Sequence, residues 1–164
     1  MLKYLRTFFS PGTLIYSYNH PKDLIVEKVA EIVANKLTFL GSNDMTGHFL
    51  DRDTFAINLN SPAFTYGIKY RSILVGKIVE TQKEKTEIRA RAKPAWILYL
   101  LFFITIILGL VYLFKYFQTN YVNSLYWSLA MLLAGPVICI WFSNVANAAI
   151  CERFEKYMNR QLKT

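Results

Sequence analysis

Apolar positions change their rhythm twice along this chain, and each change marks a different kind of element. From Lys22 to Leu40 they recur at helical spacing. Ile25, Val29, Ile32 and Val33 share one face with Val26, Leu37 and Leu40 beside it, while Glu27, Lys28, Glu31 and Lys36 mark the wet side. Asn19-His20-Pro21 supplies a capping side chain and a proline at the first turn, and Gly41-Ser42-Asn43-Asp44 stops the helix. Beyond that point the period falls to two. Gly47 to Leu50 and Phe55 to Leu59 read as strands around the turn Asp51-Arg52-Asp53. Phe64 to Tyr70 reads as a third strand after the turn Asn60-Ser61-Pro62. Ile73 to Thr81 and Thr86 to Ala92 form a hairpin with Gln82-Lys83-Glu84-Lys85 at its tip. In its second strand Ile88, Ala90 and Ala92 alternate with Glu87, Arg89 and Arg91, the pattern of a sheet with one covered face. These elements predict an α+β fold, one amphipathic helix lying on an antiparallel β-meander.

The second change is from alternation to continuous apolarity. Ala95 to Phe114 and Leu125 to Val145 each hold about 20 residues without Asp, Glu, Lys or Arg, the length an α-helix needs to cross the hydrocarbon of a bilayer. The predicted organisation is therefore a soluble domain over 1–93, a transmembrane helical hairpin over 94–147 with spans of about 95–114 and 125–145, and an amphipathic helix over 148–164. Trp96 and Tyr99 at one end, and Tyr112, Tyr116, Tyr121, Tyr126 and Trp127 at the other, are placed as interfacial aromatic belts. Small residues define the expected helix-packing surface. Thr105 and Gly109 lie on the first span and Ser128, Gly135 and Cys139 on one side of the second, so that Thr105 and Gly135 are expected to meet near mid-membrane. Pro136 after Gly135 removes a donor from the helix, and the pair is a candidate hinge. After the second span Ile150, Phe154, Tyr157, Met158 and Leu162 form an apolar stripe that must be covered by the soluble domain, the lipid surface or a partner, the domain being the first choice.

Charge orients this arrangement. Of the 19 Lys and Arg, 14 precede Pro94, one (Lys115) lies between the spans and four follow Cys151, within a net charge of +8. Short basic flanks stay on the cytoplasmic side, which predicts a multi-pass protein of the cytoplasmic (inner) membrane with both termini cytoplasmic and a loop of roughly ten residues, Lys115 to Ser124, outside. Arg89, Arg91, Lys93, Arg153 and Lys156 are the candidate contacts to anionic lipid headgroups. Nucleic acid is not expected as a partner, because the cations before the first span are interleaved with Glu80, Glu84 and Glu87. Met1 to Arg6 lacks the uninterrupted apolar region and cleavage site of a secretory signal. Leu2, Leu5, Phe8 and Phe9 instead form a short apolar face edged by Lys3 and Arg6, suited to a membrane surface.

Chemistry-bearing motifs are sparse. No phosphate loop, dinucleotide fingerprint or metalloprotease motif occurs. His48 stands near Asp51 and Asp53, which reads as a solvated turn, and Cys139 and Cys151 have no partner at metal-ligand spacing. No enzyme activity, metal or cofactor is expected. Gly76-Lys77-Ile78, Thr86-Glu87-Ile88 and Lys93-Pro94 before a membrane hairpin resemble a loose family of small bacterial membrane proteins, in which a helix-plus-sheet domain precedes two spans and no activity is established. A remoter likeness, in parts rather than residues, is to bacterial immunity effectors that join a β-rich nucleotide-sensing domain to two membrane helices, usually with the spans first. The expectation is a membrane-anchored binding or accessory module whose partners are the lipid bilayer and either another protein or further copies of itself. The alternative is an oligomeric two-span effector or pore gated by ligand binding to the β-domain.

Overall fold

The computed structural model describes residues 8–34, 45–59, 72–82 and 84–162. Five strands form one antiparallel sheet: β1 (Leu14–Tyr18), β2 (Met45–Asp51), β3 (Thr54–Leu59), β4 (Ile73–Gln82) and β5 (Lys85–Lys93). Their order across the sheet is β1-β5-β4-β3-β2. Strands β2 to β5 are thus a meander, to which the N-terminal strand adds along the outer edge of β5. Helix α1 (Lys22–Ala34) links strands at opposite edges, and packs on the sheet through Ile25, Val29 and Ile32, all fully buried. The predicted α+β architecture is the observed one. The expected strand Phe64 to Tyr70, the last turn of the helix with Leu37 and Leu40, and the segment Met1 to Thr7 lie outside the described residues.

Register explains which residues line the core. Gly76 pairs with Phe55 and Ala90, Leu74 with Ile57 and Ala92, and Ile78 with Ile88. These side chains share the covered face, and the central strands are lined there by glycine and alanines as well as large residues. Gly76 lies directly under the Phe55 ring, and a Cβ on it would stand 2.3 Å from Phe55 Cζ. The hollow admits a second helix, whose Phe154 stacks on Phe55 with ring centroids 5.7 Å apart and meets Tyr16 of β1 edge-on at 5.6 Å.

That second helix belongs to the apolar half of the chain. Helix α2 (Trp96–Thr119) follows β5 after only Pro94 and Ala95. Asn120 turns the chain in the left-handed region (φ 52°, ψ 23°), its N–H bonded to the Tyr116 carbonyl at 2.8 Å. Asparagine tolerates this conformation better than other side-chain-bearing residues. Helix α3 (Val122–Leu129), a five-residue π-helical turn at Ala130–Ala134 and helix α4 (Gly135–Gln161) then form one unbroken rod, Val122–Gln161. The ten-residue loop expected between the spans is therefore corrected to the turn Asn120-Tyr121. Lys115, Tyr116, Gln118 and Thr119 extend the first helix because such residues are tolerated in a helix past its apolar stretch. Both α2 and the rod are long and apolar enough to span a membrane. The end of the rod lies across the sheet beside α1, burying Ile150, Phe154 and Met158 completely.

Candidate functional site

The residues singled out from the sequence fall at three places: the seam between α2 and the rod, the junction between rod and sheet, and the open face of the sheet.

At the seam, Gly135 faces Thr105 so closely that a Cβ on the glycine would lie 2.7 Å from Thr105 Cβ. The Thr105 hydroxyl is occupied within its own helix, donating to the Phe102 carbonyl at 2.9 Å. Gly109 meets Leu132, whose Cγ would stand 2.6 Å from an added Cβ. Ser128 and Cys139 are buried in the same seam. The carbonyl of Ala130 accepts from Gly135 N–H, the wide π-type spacing that absorbs the donor missing at Pro136. The candidate hinge thus coincides with a local change of winding. Sequence reasoning missed Ser143, fully buried and one turn beyond Cys139, and missed where Phe8 goes. Phe8 is fully buried against Leu98, Phe102, Cys139 and Ile140, and its carbonyl accepts from the Tyr99 hydroxyl at 3.1 Å. Its spacing with Leu2 and Leu5 signalled an apolar face, but not that the start of α2 and the middle of the rod would cover it.

At the junction, Ile150, Phe154 and Met158 are core residues, and Tyr157 and Leu162 pack against that core. Of the covers considered for this stripe, the soluble domain is the one observed: the sheet packs on it, and its residues hold the domain together. Cys151 lies at the edge of this packing beside Tyr16. Burial raises the Cys151 thiol pKa, with the Tyr16 hydroxyl opposing the shift, so it stays a thiol near neutral pH. Burial first, and then Cys151, push the Tyr16 phenol up; burial and Glu155 push Tyr18 up to about 12. The Tyr18 hydroxyl oxygen is buried with no hydrogen-bond partner among the described residues.

The candidate headgroup contacts divide between two faces. Arg89, Arg91 and Lys93 stand on the open side of the sheet, whereas Arg153 and Lys156 stand exposed on the side of α4 turned away from it. The helix layer and the sheet separate them, so the five cations are two patches and not one. On the sheet side, Lys77 pairs with Arg89, Val75 with Arg91 and Ile73 with Lys93. Arg91 Nε donates to Thr13 Oγ1 at 2.7 Å, and Arg89 makes a long contact of 3.4 Å to Glu87. His48 is exposed on β2, and Asp53 pairs with Lys22 at 2.7 Å, so His48, Asp51 and Asp53 do not assemble around a common point. No grouping of three His, Cys, Asp or Glu able to hold a metal occurs among the described residues.

No protein-family model, curated protein or solved structure matches this chain.

Proposed function

We propose that this chain is a two-span membrane protein whose α+β domain serves as a binding or accessory module held rigidly at the bilayer surface, with no reaction of its own. One observation carries the reading: the apolar helices turn their hydrophobic side chains outward. Only 17% of the apolar stretch of α2 and 22% of that of the rod is buried, with Phe103, Ile107, Val111, Phe114, Leu133, Val137 and Trp141 among the large side chains left open. The core helix of a water-soluble protein buries such residues, and a continuous apolar surface of this extent in water would drive aggregation. Lipid is the environment that satisfies it. Basic flanks on both sides of the hairpin, against a turn without charge at Asn120-Tyr121, favour an inner-membrane protein with both termini cytoplasmic. The partner is then another protein or a further copy reached from the cytoplasmic side. Alkaline carbonate washing tests the anchor, which should keep the chain in the membrane pellet. A reporter active only outside the cell, fused after Thr164, should stay silent; a strong signal overturns the orientation.

A second reading, an oligomeric effector gated through the sheet, draws support from the π-helical turn at Ala130–Ala134. This turn lies in the same rod that carries Phe154 into the domain core, and π turns recur where helices change shape in function. Overexpression that depolarises cells, abolished by Pro136→Ala, would favour this reading over the accessory module; an unchanged potential would exclude it.

A further inference from the structure

We propose that the membrane-proximal end of the open sheet face is a headgroup site: Arg91 and Lys93, backed by Arg89 and Lys77, bind the phosphates of anionic lipids in the bilayer that the hairpin occupies. The proposal rests on the membrane reading above and names the ligand of that surface.

Three observations lead to it. The end of this face nearest the first span carries cations without acids between them. Lys93 lies two residues before Ala95, followed along β5 by Arg91 and Arg89, whereas Glu87 comes next, then Lys85, with Glu84 at the far tip. Alternate residues of a strand advance by about 6.6 Å, so three cations in succession occupy the membrane end and acidic residues enter only beyond Arg89, where Glu87 is followed by Lys85. The face is also amphipathic in the manner of an interfacial surface. Val75 and the partly exposed Ile73 lie across from Arg91 and Lys93, and Ile15 is exposed on the adjoining edge strand opposite Arg89. Lys and Arg stems can lie on such apolar surface while their heads reach phosphate. Finally, Arg91 is exposed and its Nε is bonded to Thr13, so a guanidinium able to fork onto a phosphate is held at this end of the face.

The geometry also ranks the contacts. The polar zone of a bilayer leaflet is roughly 5–8 Å deep. Lys93 and Arg91 reach it directly, while Arg89 and Lys77, one further step away, act through their field within about one Debye length. Each cation near an anionic surface contributes about fivefold in affinity. The opposite patch on α4, Arg153 and Lys156, faces another direction and takes no part.

The test uses the full-length chain in nanodiscs containing equal phosphatidylcholine and phosphatidylglycerol, ejected into a native mass spectrometer. The unaltered protein should retain phosphatidylglycerol in preference to phosphatidylcholine. The pair Arg91→Gln with Lys93→Gln should reduce that enrichment at least tenfold, and Arg89→Gln with Lys77→Gln by a smaller factor. Arg153→Gln with Lys156→Gln should leave it unchanged. Equal losses from all three pairs mean diffuse charge and overturn the site, as does enrichment that survives the first pair. All six residues are exposed, and matching melting curves identify variants that fold. A carbonate wash separates the two readings: a chain that washes off the membrane defeats the anchor, while a retained chain without lipid preference defeats only the headgroup site.

Discussion

Gly76 shows how a single missing side chain organises the domain. Its Cα is the floor on which the Phe55 ring lies, and Phe55 is in turn the surface on which Phe154 of the rod stacks. Gly76→Ala forces the ring off that floor, and overpacking of this kind costs about 1–3 kcal/mol. Thermal unfolding in detergent should show the loss, and Phe55→Leu in the same chain should recover part of it. Phe154→Asp acts at the other end of the stack. It buries a carboxylate at a fully enclosed position, and limited proteolysis should show the domain opening, not the release of a partner from an intact fold. Tyr18 carries the pH dependence. Its phenol is pushed from 10.0 up to about 12, so the unfolded chain loses a proton that the folded chain keeps. Stability is intact below about pH 10 and falls as the pH rises toward 12, with Tyr16 adding to the slope in the same direction. Melting curves between pH 9 and 12 should flatten in Tyr18→Phe. At pH 7 that variant should be neutral or gain up to about 1 kcal/mol, because the hydroxyl it removes is buried without a partner among the described residues.

At the scale of elements, what could be read beforehand depended on contrast between two sides. Helix α1 was legible because Ile25, Val29 and Ile32 share a face that differs sharply from Glu27, Lys28 and Glu31, the latter two joined at 2.9 Å. Strand β5 was legible for the same reason. Strand β1 was not: Leu14, Ile15 and Ser17 are all exposed at the sheet's edge, so Leu14–Tyr18 has little alternation to detect. A run of two tyrosines with Leu and Ile before Asn19-His20-Pro21 was the available signal. The π-helical turn left no mark in composition beyond Gly135-Pro136, since winding is decided by backbone bonds that side-chain pattern does not encode. The close approach of Thr105 and Gly135 followed from levelling two antiparallel spans, whereas Leu132 as the neighbour of Gly109 required the actual rotation of the rod. Gly135→Leu should push the helices apart at Thr105 and lower the melting temperature of the detergent-solubilised chain more than Gly109→Ala, which adds a single methyl against Leu132.

At the scale of the molecule, the domain and the apolar helices are joined at two rigid points. Strand β5 runs through Pro94 into α2, and the rod that follows the turn at Asn120 returns to fill the core of the sheet. The sequence revealed the first junction, because no linker separates Ala92 from the apolar run. The second was visible only as a stripe seeking cover, and three-dimensional pairing was needed to show that the sheet itself provides it. The five basic residues illustrate the same limit. Their nearness to the apolar runs was plain, but their division between two sides of the domain comes from the register of β5 and the rotation of α4.

The threading of the rod through the core also sets an order on assembly. Phe55 is synthesised early and Phe154 about a hundred residues later, a long-range contact of the kind that slows folding. Until the hairpin is made and its last helix released, the sheet lacks the layer that closes it, and an apolar hollow over Gly76 and Ala90 stays open to chaperones and proteases. A chain ended after Ala149 should therefore keep both apolar helices and yet be degraded rapidly, as pulse-chase labelling would reveal. Completion of the domain thereby becomes a report that the apolar hairpin before it has been fully synthesised, so that quality control of those helices is exercised through the stability of the sheet domain.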